Sequence, residues 1–200
     1  MAKTKLTVID VSDYQGRIDW EKVKKDGIDG AIIRAAYSTV KWDRECDRNI
    51  AECERLGIPF GLYIYSLAKT KKRARQEADA ILEKAKGHKI DFPLYIDLEQ
   101  AGYGKYAKEM AEEFGRVIEK AGYWCGVYAN QSWWLQYLRG LNRFTKWVAR
   151  YGAKPTVEGT DMWQYTSAGK VDGISGHCDK NKCYRNFPKL IEKKRKVSEK

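Results

Sequence analysis

Apolar positions along the chain alternate between two periods, one of strands and one of helices. Residues 6–11 form a run of apolar and β-branched side chains, the mark of a strand. Residues 19–25 follow as a short helix, with Asp19 as its N-cap and Gly27 as its stop. The same alternation continues with a strand at 30–35, a helix at 46–56 closed by Gly57, a strand at 60–66 and a long helix at 71–86. A fourth strand is expected at 93–98. The clearest helix spans 106–121, with Met110, Phe114, Val117, Ile118 and Ala121 on one stripe and Gly122 as its stop. A fifth strand at 125–129 leads into a helix over about 132–138.

After that the pattern changes. Short strands are expected at 147–151, 162–165 and 171–174, joined by Gly- and Pro-containing turns with no helical period between them. Repeated βα units imply parallel strands with crossover helices. Eight strands suggest closure into a single irregular TIM-like β/α barrel, five βα units followed by three short strands. An open doubly wound sheet is the alternative. It usually carries a Gly-rich phosphate loop after its first strand, and Asp10-Val11-Ser12-Asp13-Tyr14-Gln15-Gly16 holds no such loop. The expected organisation is a barrel over residues 1–190 and a basic tail over 191–200.

Composition refines this picture. With 200 residues the chain can bury a full core without a metal or disulfide staple. Seven Trp and 13 Tyr either fill that core or line a site for flat, weakly polar ligands such as sugars. The balance of 38 Lys+Arg against 27 Asp+Glu gives a net charge of +11, which favours a polyanionic partner: nucleic acid, an anionic membrane or the anionic polymers of a bacterial wall. A plain solvated surface accounts for the same charge. No transmembrane span of about 20 apolar residues exists, and no signal peptide is visible before the first strand. The expectation is synthesis in the cytoplasm and action elsewhere after secretion or lytic release. The five Cys form no framework. Cys46 and Cys53 stand about 10 Å apart along one helix, beyond the reach of a disulfide, whereas Cys178 and Cys183 are close enough in sequence to pair.

The chemistry concentrates in Pro93-Leu94-Tyr95-Ile96-Asp97-Leu98-Glu99. Strand alternation puts Leu94, Ile96 and Leu98 on one face and Tyr95, Asp97 and Glu99 on the other. Two carboxylates on one face at this spacing stand roughly 7 Å apart. They disfavour joint ionisation, so one stays protonated to donate to a leaving oxygen while the other stays anionic beside a developing oxocarbenium. Both lie at the carboxyl end of their strand, where barrel sites are built. A plain surface pair is the alternative, and it weakens when the other strand ends are read. Asp10 ends the first strand. Tyr63 and Tyr65 share a face of the third and Tyr128 lies on the fifth. Trp163 and Gln164 lie on the seventh, and Asp179 follows the eighth. Arg34, beside this cleft, is placed to orient a carboxylate or to make a structural ion pair. Only two His exist, so a zinc centre is disfavoured, and neither a G-x-S-x-G elbow nor a P-loop is present. No metal or other cofactor is expected.

Several of these stretches together resemble glycoside hydrolase family 25, the Chalaropsis-type lysozymes. They are Asp10-Val11-Ser12-(x2)-Gln15-Gly16, Gly57-Ile58-Pro59-Phe60-Gly61-Leu62-Tyr63, Tyr95-Ile96-Asp97-Leu98-Glu99, Gly126-Val127-Tyr128-Ala129-Asn130, Trp163-Gln164-Tyr165 and Val171-Asp172-Gly173-Ile174. The resemblance implies a flattened β/α barrel that hydrolyses the β-1,4 bond from N-acetylmuramic acid to N-acetylglucosamine in peptidoglycan, with retention. It implies Glu99 as acid/base, Asp97 as nucleophile or as support for an attacking acetamido group, and Asp10 and Asp179 as further acids. Gln15, Arg34, Tyr63, Tyr65, Tyr128, Trp163 and Gln164 are the substrate-side candidates. Peptidoglycan is the expected partner and nucleic acid and membrane are not; the oligomeric state is open. A chitinase-like barrel fits less well, because its D-x-x-D-x-D-x-E run would need acids where Phe92 and Tyr95 stand. A non-catalytic glycan-binding barrel would have lost the acids.

Overall fold

Strand alternation and helix amphipathicity act together to close a barrel. The computed structural model describes residues 5–198. The expected lack of a signal peptide concerns residues that lie largely outside that range. The elements run β1 (Leu6–Val11), α1 (Trp20–Lys25), β2 (Gly30–Tyr37), β3 (Lys41–Trp42), α2 (Cys46–Leu56), β4 (Phe60–Tyr65), α3 (Lys71–Ala85) and β5 (Leu94–Asp97). Then follow α4 (Gly104–Lys120), β6 (Cys125–Asn130), α5 (Gln131–Gln136), β7 (Thr145–Ala149), β8 (Met162–Gly169), β9 (Cys178–Cys183) and α6 (Phe187–Ser198). The sheet order is β1-β9-β8-β7-β6-β5-β4-β2-β3, and pairing of β1 with β2 closes eight strands into a ring, with β3 as a short extension. All neighbours in the ring are parallel except at β9, which runs antiparallel to both β8 and β1.

The two faces of the ring hold different cores. Outside, Leu94, Ile96, Leu98, Val127 and Val148 pack against the helices. Inside, Val8, Ile32, Tyr95, Tyr128, Trp147 and Met162 fill the barrel. Trp147 sits at the centre of an aromatic cluster, its ring 4.5 Å from Tyr128, 5.0 Å from Tyr95 and 6.2 Å from Tyr63. Edge-to-face pairs of this kind each add about 0.5–1.5 kcal/mol beyond area burial. Gly126 makes room for them: a Cβ there would lie 2.2 Å from a Tyr95 ring carbon.

Local signals set the helix ends. Asp19 accepts from the Lys22 N–H at 3.2 Å, and Gly57 ends α2 in the left-handed region at φ 66°. Glu77 of α3 is fully buried and accepts from the hydroxyls of Ser38 and Ser66 (2.6 Å for Ser66) and from the Leu67 N–H (2.9 Å). It ties together the loops that leave β2 and β4.

The structure corrects three expectations. The segment 171–174 is a turn, not a strand. Val171 and Ile174 anchor it in the outer core, and Gly173 lies so close to α1 that a Cβ would meet the Asp19 carbonyl at 2.3 Å. The eighth strand is β9 instead. Residues 187–198 form a helix where a basic tail from 191 was expected; residues 199–200 lie outside the described range. Phe187 and Ile191 of α6 join the inner core, with Phe187 6.0 Å from Phe92, while Arg195 bonds Asp91 (3.1 Å) and the Ile90 carbonyl. Finally, Cys178 and Cys183 point to opposite faces of β9, one into the outer core and one into the inner, so they cannot pair. All five cysteines are free and buried.

Candidate active site

Asp10, Asp97 and Asp179 gather at one mouth of the barrel. Asp10 is the penultimate residue of β1 and Asp97 the last of β5. The reversed direction of β9 brings its second residue, Asp179, to the same end, in register with Asp10. Glu99 lies two residues beyond β5 and is exposed to solvent.

Burial sets the protonation of this group. Asp10 is pushed well above the usual carboxylate range, first by desolvation and then by the Asp179 charge; hydrogen bonds from Asn181 and Gln164 oppose the shift. Asp97 is also pushed well up, by desolvation first and then by the charges of Glu99 and Asp10, with Arg34 opposing. Glu99 and Asp179 are raised as well, mainly by desolvation. Asp97 Oδ1 is buried without a hydrogen-bond partner among the described residues. Such an atom is an acceptor waiting for a donor.

Gln164 organises the other half of the mouth. Its Nε2 donates to both oxygens of Asp10 at 3.1 Å and reaches Asp179 at 3.5 Å. Its Oε1 accepts from the hydroxyls of Tyr128 and Tyr151, each at 2.9 Å. Asn181 donates to Asp10 at 2.7 Å and accepts from the Trp147 indole at 2.7 Å. An amide that donates to carboxylates and accepts from phenols through opposite ends has its orientation decided by chemistry.

Tyr63 stands on the inner face of β4, where the charges of Asp10, Arg34 and Asp97 all act on it. Tyr65, one turn of the pleat further out, stacks on Tyr37 at 4.7 Å and donates to Gln100 at 3.1 Å. Arg34 Nε donates to Asp43 at 2.8 Å and its Nη2 bonds Asp13, while Tyr14, almost fully exposed, lies over the guanidinium at 5.0 Å.

Two candidates stand apart from the mouth. Gln15 serves the turn after β1: its Oε1 accepts from the Ser12 N–H at 2.9 Å and its Nε2 reaches the His177 carbonyl at 3.4 Å. Trp163 neighbours Gln164 in the strand and therefore faces outward, packing on Tyr165 at 5.8 Å and donating to the Arg150 carbonyl at 2.7 Å. A cavity of about 760 Å³ opens at the opposite end of the barrel and is lined by none of the four acids. Among the described residues no cluster of three or more His, Cys, Asp or Glu is arranged to hold a metal ion, and no helix is long and apolar enough to cross a membrane.

The sequence profile of glycosyl hydrolases family 25 matches residues 9–174, a span that covers most of the ring. The chain belongs to that family. It is 29% identical to lysozyme M1 of Streptomyces globisporus over 92% of this chain and 69% of the relative. Among solved structures, the CTP1L endolysin superposes with a TM-score of 0.84 at 29% identity, covering 94% of this chain and 69% of that one. The modular autolysin LytC from Streptococcus pneumoniae, solved with a synthetic peptidoglycan ligand, gives 0.80 at 30% identity. The match covers 89% of this chain, which spans about half the length of LytC, 46%.

Within this family-25 barrel, several residues around the mouth escape sequence reasoning. Asp13 and Asp43 hold Arg34, Asn181 holds Asp10, and Tyr151 completes the Gln164 network. Only Asp13 had a local signal, its place just beyond a strand end rich in acids.

Proposed function

We propose that this family-25 glycoside hydrolase cleaves the β-1,4 bond from N-acetylmuramic acid to N-acetylglucosamine in bacterial peptidoglycan, with retention, using Glu99 as acid/base and Asp97 as the partner carboxylate. The observation that carries the reading is the buried, unpartnered oxygen of Asp97 two residues from Glu99 at the barrel mouth. In the unliganded protein, burial favours a proton on Asp97. A substrate N–H donated to Oδ1, or positive charge developing at the sugar C1, favours its anion instead. The like-charge penalty then falls on Glu99, which takes up the proton it must deliver.

Glu99 protonates the glycosidic oxygen as the C1–O bond breaks. C1 is captured from the opposite face by Asp97 or by the acetamido oxygen that Asp97 orients. Water, deprotonated by Glu99, then attacks C1 and restores the acid. Two inversions leave the anomeric configuration retained. Asp10 and Asp179, clamped by Gln164 and Asn181, shape the polar floor of the groove, and Tyr63, Tyr65 and Tyr128 wall it. Kinship to a lysozyme and an autolysin supports peptidoglycan as substrate. The protein would then act on the wall after secretion or lytic release.

The test is mass spectrometry of purified peptidoglycan after digestion by wild type and Glu99→Gln. New reducing ends on muramic acid with wild type, and none with the folded variant, are expected. Reducing ends on glucosamine, intact glycan, or wild-type rates in Glu99→Gln would overturn the assignment.

A further inference from the structure

The outer wall of the barrel formed by β8 and β9 is unlike the rest. Among the described residues no helix intervenes between β7 and β9, so this stretch of sheet lacks the crossover helices that follow the earlier strands. Its outward positions are aromatic and cationic. Trp163 and Tyr165 project from β8, and Lys182, in register with Trp163, lies 5.0 Å over both rings. Tyr184, just past β9, carries Lys5 at 5.6 Å and Lys154 at 5.7 Å over its ring.

The charge on this face is uncompensated. The only acid in β8 or β9 is Asp179, and it points into the barrel. The nearby Asp161 is paired with Arg185 at 3.3 Å. None of Lys5, Lys154 and Lys182 has a carboxylate within ion-pair distance among the described residues, whereas Lys84 has Asp47 at 2.6 Å and Arg55 has Glu52 at 2.9 Å. An ammonium resting on a ring keeps donors free on its far side. Phosphate fits those donors, and sugar rings stack on flat aromatic faces.

We propose that this face is an accessory binding strip for a phosphodiester-linked, sugar- or polyol-containing polymer of the bacterial wall, distinct from the hydrolytic groove. Charge complementarity argues for the occupant: the chain carries a net +11, and the strip holds cations without acids. The choice of a wall polymer over other polyanions rests on the reading of the groove as a wall hydrolase. The plain alternative is that the lysine stems merely shield half-buried rings from water.

The test compares a Lys5→Gln/Lys154→Gln/Lys182→Gln variant with its parent. Binding is measured by co-sedimentation with intact walls and with walls stripped of phosphodiester polymers by hydrofluoric acid, both proteins carrying Glu99→Gln so that the wall is not consumed. We expect binding of the parent to intact walls to weaken about tenfold in the variant, the order for three exposed ion contacts. The same loss is expected in the parent on stripping the wall or on raising salt. With Glu99 present, the variant should hydrolyse soluble glycan strands at the parental rate, which keeps failure of the strip separate from failure of the groove. Equal binding of the parent to stripped and intact walls overturns the proposal, as does parental binding by the variant. An equal loss on duplex DNA of matched charge overturns it too, by showing a patch for any polyanion. If the triple variant does not fold, Lys182→Gln alone carries the test with a smaller loss, and Lys182→Arg should restore binding.

Discussion

Replacing Gln164 by leucine removes an amide that links the acids to the phenols at the barrel mouth. The Tyr128 hydroxyl, buried, loses its acceptor, which costs about 1–3 kcal/mol. Asp10 loses two hydrogen bonds that favour its charged form, worth about 1.5–3 kcal/mol where it is ionised, and keeps those with Asn181 and Asp179. Tyr151 is more than half exposed, so water replaces its acceptor at little cost. Burying the leucine returns about 1–2 kcal/mol, leaving a net loss of roughly 0.5–5 kcal/mol at neutral pH. The loss should depend on pH. Gln164 opposes the rise of the Asp10 pKa, so its removal raises that pKa further. A folded-state pKa above the unfolded one lowers stability as pH climbs from the unfolded value to the folded one, and has no effect below both. Urea unfolding at pH 7 and near pH 4 should therefore show a markedly smaller loss in acid. Gln164→Glu sharpens the comparison. It keeps an acceptor for the phenols and, when protonated, a donor for Asp10, so it should approach wild type near pH 4 and fall well below it at pH 7. An equal loss for Gln164→Leu at both pH values would refute the reasoning.

Two other measurements probe the same construction. Gly126→Ala should destabilise by about 1–3 kcal/mol, because its Cβ would stand 2.2 Å from the Tyr95 ring; a melting temperature lowered by roughly 2–12 °C is expected, and an unchanged one would show that the ring yields freely. Asp97→Asn should abolish hydrolysis while becoming more stable than wild type as pH rises from about 4 to 7, since it lacks the buried carboxyl whose ionisation burial opposes. A stability difference that shrinks over that range would argue that Asp97 is stabilised as an anion.

The parts of this architecture that follow one-dimensional rules could be read from the chain. The helix stripe through Met110, Phe114 and Ile118, and the alternation that turns Tyr95, Asp97 and Glu99 away from Leu94 and Ile96, depend only on period. The eighth strand could not be read this way. In Cys178-Asp179-Lys180-Asn181-Lys182-Cys183 the inward Asp179 and Asn181 are polar because they serve the mouth, and the outward Lys180 and Lys182 are cationic, with buried cysteines only at the two ends. That leaves no apolar alternation to detect. The segment 171–174 shows the converse, with apolar residues that anchor a turn. The period-four pair Phe187 and Ile191 was a helix signal, overshadowed by the basic run at 193–196. Trp163 was placed in the cleft by its neighbours, although alternation from Gln164 turns it outward. Contacts such as Arg34 with Asp43 or Asp10 with Asn181 depend on closure of the ring, and no local pattern carries them.

The position of Glu99 beyond the end of its strand has a mechanical consequence. Three acids are seated in the ladder itself, where neighbouring strands fix backbone direction on either side. The fourth lies just past that lattice, between Leu98, whose N–H bonds the Tyr128 carbonyl at 2.9 Å, and Gln100, which accepts from Tyr65 at 3.1 Å. A reaction in which one group surrenders a hydrogen to a departing alcohol and later reclaims one from an incoming water asks for small swings of that group against a still background. Three carboxyls seated in paired strands and one side chain placed just past them, on an anchored backbone, would suit that division of labour.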